Sequence, residues 1–95
     1  MRLRITARAF SDIAKIAAFG SEEWGEDVAR AYTDRLTARL NQLKTHPELG
    51  PADDTQGGFR TLGAGSHMAF YRIETDEVVI VRVLHASQDP SLHLP

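Results

Sequence analysis

Residues Val78 to His85 constrain the fold more than any other stretch. The run Val78-Val79-Ile80-Val81-Arg82-Val83-Leu84-His85 is apolar at odd and even positions alike, apart from Arg82 and the closing histidine. Side chains of a strand alternate between two faces, so near-continuous apolarity indicates a strand at the centre of a sheet rather than at its edge. The residues upstream supply neighbours for it. His67 to Ile73 reads as a strand with Met68 and Phe70 on one side and Ala69, Tyr71 and Ile73 on the other. Phe59 to Leu62 reads as a shorter one. Gly63-Ala64-Gly65-Ser66 and Glu74-Thr75-Asp76-Glu77 provide the turns between them. At the other end of the chain Arg2-Leu3-Arg4-Ile5 alternates with period two, which predicts a short strand with Leu3 and Ile5 facing inward.

Two helical patterns separate these strands. Thr6 is placed to cap the first, its hydroxyl accepting a backbone N–H of the opening turn. That helix is expected from Ala7 to about Gly20, with Ser21 to Gly25 as a last turn and a bend. Phe10, Ile13, Ala14 and Ala17 follow i, i+3, i+4, i+7 spacing with Ile16 beside them, which assigns them to the core and Ser11, Asp12 and Lys15 to solvent. The second helix is expected from about Glu26 to Thr45, with Val28, Tyr32, Leu36, Leu40 and Leu43 as its apolar stripe. Glu26 and Asp27 suit its first turn and Lys44 its last. His46-Pro47 ends it, because a residue before proline avoids the α region. A short glycine-containing bend predicts antiparallel packing of the pair. Pro47 to Gly58, rich in Pro, Gly and Asp, reads as a mobile loop. The order is βααβββ, an α+β fold with a helix hairpin packed on a small antiparallel sheet.

A chain of 95 residues is expected to form one domain, spanning residues 1–95. Cysteine is absent, which excludes a disulfide framework and a thiolate metal site. The first residues lack the apolar run of a signal peptide and no segment approaches a membrane span, so a cytoplasmic protein without membrane contact is expected. The net charge of −2 argues against direct sequence-specific binding of nucleic acid, where phosphate contacts dominate affinity. All cations except Lys15 and Lys44 are arginines. Arginine's planar fork suits carboxylates and interfaces, although genome composition explains the same bias.

Little in the sequence points to catalysis. His46, His67, His85 and His93 form no metal-ligand spacing, and no nucleophile motif or phosphate-cradling glycine loop is present. Neither a metal nor a cofactor is expected, and no catalytic residue is assigned. One constellation remains: Arg60, Arg72, Arg82 and His85 lie on neighbouring strands and are the candidate partner-binding residues. Such a surface can bind an anion or serve acid–base chemistry on RNA; equally, Arg82 can pair with an acidic residue and cover the sheet. Trp24 and Tyr32 are placed in the core at the helix bend in preference to a partner site.

The ordered set Trp24-Gly25 with Ala29 and Tyr32, His46-Pro47-Glu48-Leu49-Gly50, Phe59-Arg60-Thr61-Leu62, His67 to Arg72, and Ile80 to His85 with Gln88-Asp89 resembles the ParE branch of the ParE/RelE toxin family. The resemblance spans nearly the whole chain. It implies the RelE/ParE-like fold and a toxin of a type II toxin–antitoxin system. It implies a ParD-like antitoxin whose C-terminal segment folds over the toxin, and inhibition of DNA gyrase by binding. The RelE branch, whose members cut mRNA on the ribosome, is the alternative, with Arg60, Arg82 and His85 in comparable places. Ala86, where some such nucleases carry an aromatic hydroxyl, and the acidic balance weigh against it. An inactive toxin remnant is the third reading.

Overall fold

The computed structural model describes residues 1–52 and 57–95. Strand β1 (Arg2–Ile5) leads into helix α1 (Ala7–Trp24) and helix α2 (Glu26–Asn41), which tightens into a 3₁₀ turn over Gln42–Lys44. Strands β2 (Arg60–Ala64), β3 (His67–Ile73) and β4 (Glu77–His85) follow, then a final 3₁₀ turn at Pro90–Leu92. The sheet order is β1-β4-β3-β2. The β2–β3–β4 meander is antiparallel, as expected, and β4 is central. Strand β1 adds to β4 in parallel, which makes the sheet mixed. The helix pair supplies the long connection that such a parallel neighbour needs.

Local chemistry fixes the helix ends. Thr6 Oγ1 accepts the N–H of Ala9 at 3.1 Å and donates to the carbonyl of Val81 at 3.0 Å, so the cap also anchors α1 to β4. Gly25 alone joins the helices. Its N–H bonds the carbonyl of Ser21, its carbonyl accepts from Ala29, and its φ of 90° is open to glycine at little cost.

One face of the sheet packs on the helices through Ala9, Leu36, Leu40, Leu43, Leu62, Ala69, Tyr71, Val78, Ile80 and Val83. Full burial of each leucine contributes about 1.5–3 kcal/mol. The other face carries a smaller cluster, Phe70, Val79, Val81 and Leu84, sealed by Phe59, Met68 and Leu94. The apolarity of β4 on both faces follows from this double covering.

Three expectations are corrected. Helix α1 is rotated by one residue: Ala9, Ile13 and Ile16 face the core, Phe10 is 68% exposed, and Asp12 turns towards the sheet. The sequence supported either phase, since Ala9, Ile13, Ile16 and Gly20 also follow helical spacing. The Thr6 anchor and the pairing of Asp12 with Arg82 decide between them. Trp24, at 64% exposed, and Val28 lie outside the core, where Ala29 takes the buried position. The segment Pro47–Gly50 is pinned rather than free. Tyr71 Oη donates to the carbonyl of Pro47 at 2.8 Å and accepts the N–H of Gly50 at 2.9 Å. The part of the expected loop at residues 53–56 lies outside the described residues.

Candidate functional site

A bulge in β4 prepares the site. Ile73 pairs with Val78 and Tyr71 with Ile80, but Phe70 pairs with Arg82, so Val81 is an extra residue in the ladder. Beyond it the alternation is reset: Val83 joins the helix-side core, and His85 stands directly opposite His67. Strand β1 ends opposite Ile80, which leaves the last part of β4 without a neighbour on that side.

Arg82 lies at this reset and is buried. Its Nε and Nη2 bind the two oxygens of Asp12 at 2.8 and 2.9 Å, a bidentate pair, and Nη1 binds the carbonyl of His93 at 2.8 Å. Asp12 also accepts the N–H of Val83 at 3.0 Å. One carboxylate therefore caps an open strand edge and neutralises the buried guanidinium, and one guanidinium ties the C-terminal segment to α1. The bond and charge of Asp12 hold Arg82 protonated, its pKa raised against the effect of burial.

Between the C-terminal half of α1, the N-terminal half of α2 and the end of β4 runs a groove of about 740 Å³. Its apolar wall consists of Ile16, Gly20, Ala29 and Val83, with Phe19, Trp24 and Val28 at the rim. Phe19 and Trp24 are edge-to-face at 5.8 Å and both exposed. The helices meet closely beneath: a β-carbon on Gly20 would lie 3.3 Å from that of Ala29.

Polar groups gather at the opposite end. Tyr32 Oη accepts the N–H of Ser66 at 3.0 Å, stands 2.6 Å from Nδ1 of His67 and lies 3.3 Å from the carbonyl of Ala64. Gly65, with φ of 60°, turns the chain against this hydroxyl; a β-carbon there would sit 2.7 Å from it. The guanidinium of Arg35 covers the Tyr32 ring at 5.9 Å. The rings of His67 and His85 are edge-to-face at 5.3 Å, and Nδ1 of His85 accepts the N–H of Ser87 at 3.1 Å. Burial, and then the charge of His85, hold the His67 imidazole below its ordinary pKa. Lys15, Arg35 and Arg82 line the groove against a single carboxylate, Asp12.

Of the four residues singled out in the sequence, the structure brings Arg82 and His85 to this groove and leaves two outside it. Arg60 opens β2 and donates to the carbonyl of Gly50 at 2.7 Å, fastening the segment that Tyr71 also holds. Alternation along β3 puts Arg72 on the outer face, where it pairs with Glu74 at 3.1 Å. Among the described residues no cluster of three metal-ligating side chains occurs. No helix among them is long and apolar enough to cross a membrane. Sequence reasoning missed His67, Arg35 and Phe19 as groove residues, and it weighed Trp24 and Tyr32 as partner anchors but preferred the core for them. The available signal was the hinge: an antiparallel pair joined at Gly25 brings Phe19 and Trp24 beside Val28 and Tyr32.

Comparison with known proteins gives this geometry a family. The family model described as the ParE toxin of the type II toxin–antitoxin system parDE matches residues 3–90. The chain belongs to the ParE toxin family. Toxin ParE1 of Caulobacter vibrioides is 35% identical over 92 residues, covering 96% of this chain and 95% of the relative. Toxin ParE1 of Mycobacterium tuberculosis is 36% identical over 75 residues, covering 77% and 76%. A solved chain from the chromosomal ParDE TA system of P. aeruginosa shares the fold, with a TM-score of 0.80 at 22% identity, over 90% of this chain and 95% of its own. As a ParE-family member, the chain is a toxin component of a type II toxin–antitoxin system.

Proposed function

We propose that the groove between α1, α2 and β4 receives the C-terminal segment of a ParD-like antitoxin, and that the freed toxin inhibits DNA gyrase by binding it. The observation that carries the antitoxin reading is the exposed aromatic rim. Phe19, Trp24 and Val28 leave a contiguous apolar surface beside an open groove, the pattern that marks an interaction site rather than a stable solvent face. A segment laying an apolar helix face on it would bury all three. Binding rather than bond cleavage is supported by how the arginines are engaged. Arg82 has its Nε–Nη2 fork on the carboxylate of Asp12 and its Nη1 on the carbonyl of His93, and Arg60 is tied through Nη1 to the carbonyl of Gly50.

Two measurements test this reading. Induced expression should arrest growth, and co-expression of the cognate ParD-like antitoxin should restore it. Purified toxin should inhibit supercoiling by gyrase; full supercoiling at stoichiometric excess removes gyrase as the target. Cleavage of mRNA at the ribosomal A site in toeprinting would replace the binding reading with the nuclease one.

A further inference from the structure

The groove holds a polar subsite that an apolar helix face alone does not explain. His67 and His85 face each other across the β3–β4 ladder at the end away from Phe19 and Trp24. The polar groups that line the same groove, Asp12 apart, are cationic or neutral: Arg35 and Tyr32 from α2, Lys15 from α1, and Gln88 and His93 from the C-terminal segment. The one carboxylate present, Asp12, has both oxygens committed to Arg82 and Val83. An imidazolium here has no counter-ion within the described groove.

The two histidines have different surroundings. Nδ1 of His85 lies 2.7 Å from the Ser87 hydroxyl and 3.1 Å from the N–H of Ser87, on the exposed turn after β4. Nδ1 of His67 faces the hydroxyl of Tyr32, which can reverse. While His67 is neutral, the hydroxyl donates to Nδ1. Once Nδ1 carries a proton, it donates to Tyr32 Oη, and the hydroxyl hydrogen turns to the carbonyl of Ala64. The N–H of Ser66 stays bonded to the same oxygen in both states. Both protonation states of His67 are thus satisfied without moving a heavy atom.

We propose that His67 is a proton-gated receptor for a carboxylate: an acidic side chain of the antitoxin segment docks against the His67–His85 pair, and the complex takes up a proton at His67 as it forms. The inference rests on the antitoxin reading of the groove and adds its chemistry. In the free chain, burial and the neighbouring charge keep His67 neutral near neutral pH. A carboxylate in contact favours the charged ring and raises its pKa. Affinity is then greatest at low pH and falls as pH rises through the pKa of the complex. The limiting slope is about tenfold per pH unit for one proton.

The test uses the full chain and its cognate ParD-like antitoxin. Binding is measured by calorimetry between about pH 6 and about pH 8, in buffers of different ionisation enthalpy, which count protons directly. Wild type should bind more tightly at the acid end and show buffer-dependent heat. His67→Asn keeps an acceptor near Tyr32 but cannot take the proton, so it should bind with a flat pH profile. One Asp or Glu of the antitoxin, changed to its amide, should flatten the profile in the same way. A folding defect in the variant is bypassed by NMR of the wild-type ring, whose His67 pKa should rise on binding. A tight complex with neither pH response nor buffer-dependent heat overturns the inference and leaves the antitoxin reading intact. So does an undiminished response in His67→Asn. No complex at any pH overturns both.

Discussion

Replacing Asp12 with alanine should be far more damaging than its place on a helix surface suggests. The substitution removes three charge-assisted bonds, two to Arg82 and one to the N–H of Val83. It leaves a guanidinium whose side chain is only 10% exposed, with the carbonyl of His93 as its remaining partner. Removing one member of a buried pair costs roughly 3–5 kcal/mol, because the other charge stays behind uncompensated. The groove beside Arg82 lets water reach part of it, which favours the lower end, about 3 kcal/mol. For a domain of this size each kcal/mol moves the melting midpoint by about 4–8 °C, so Asp12→Ala should melt roughly 12–24 °C below wild type. Total stability for such a chain is about 5–14 kcal/mol, so the variant folds with little margin. The double variant Asp12→Ala with Arg82→Met separates the causes. If the orphaned charge dominates, the second substitution should recover most of the loss, leaving the double variant within about 1 kcal/mol of wild type. Thermal and urea unfolding by circular dichroism measure both. A loss below about 1 kcal/mol in the single variant would mean a solvent-screened surface pair. A double variant no more stable than the single would place the cost elsewhere. Either result refutes the reasoning.

Tyr71→Phe should cost about 2–3 kcal/mol in urea unfolding, since it strands the N–H of Gly50 and the carbonyl of Pro47, and it should raise amide exchange at Gly50. Phe10→Ser should change stability by less than about 0.5 kcal/mol, as expected of an exposed position; a loss of several kcal/mol would restore the core assignment. The depressed pKa of His67 has a signed consequence for the isolated chain. Its unfolded form binds protons more readily than its folded form, so this histidine's contribution to stability is complete above about pH 6.5 and is lost as pH falls through that value. The melting midpoint should therefore drop from about pH 7.5 to about pH 5 by more in wild type than in His67→Asn.

Much of the fold was legible in the residues, and the site was not, for a definable reason. The strand Val78–Leu84 announced its central position because both of its faces needed apolar cover. Thr6, Gly25 and His46-Pro47 marked element ends through backbone chemistry that acts over a few residues. The phase of α1 was ambiguous because two stripes, one from Ala9 and one from Phe10, fit the same period. Only the distant Arg82 discriminates between them. The groove depended on an event with no local signature, the bulge at Val81. Had the register set by Ile73 and Val78 continued, His67 would face Leu84 rather than His85. Arg60 and Arg82 were rightly noticed as unusual residues in strands. What they do is decided by carbonyls and a carboxylate distant in sequence, which no spacing reveals.

The joint at Gly25 has a mechanical consequence. A hinge of one residue gives the helix pair no slack, so the two walls of the groove cannot part independently. Widening the mouth would require either rotation about the backbone of Gly25 or sliding across the Gly20–Ala29 contact, where a β-carbon added at Gly20 would already crowd Ala29. This geometry predicts a jaw of nearly fixed gape, which would admit a ligand of matching width and exclude a thicker one. Any other side chain at residue 25 would strain a backbone held at φ of 90° and change that gape. On the proposed antitoxin reading, selectivity would then shift through a residue that is not part of the groove lining.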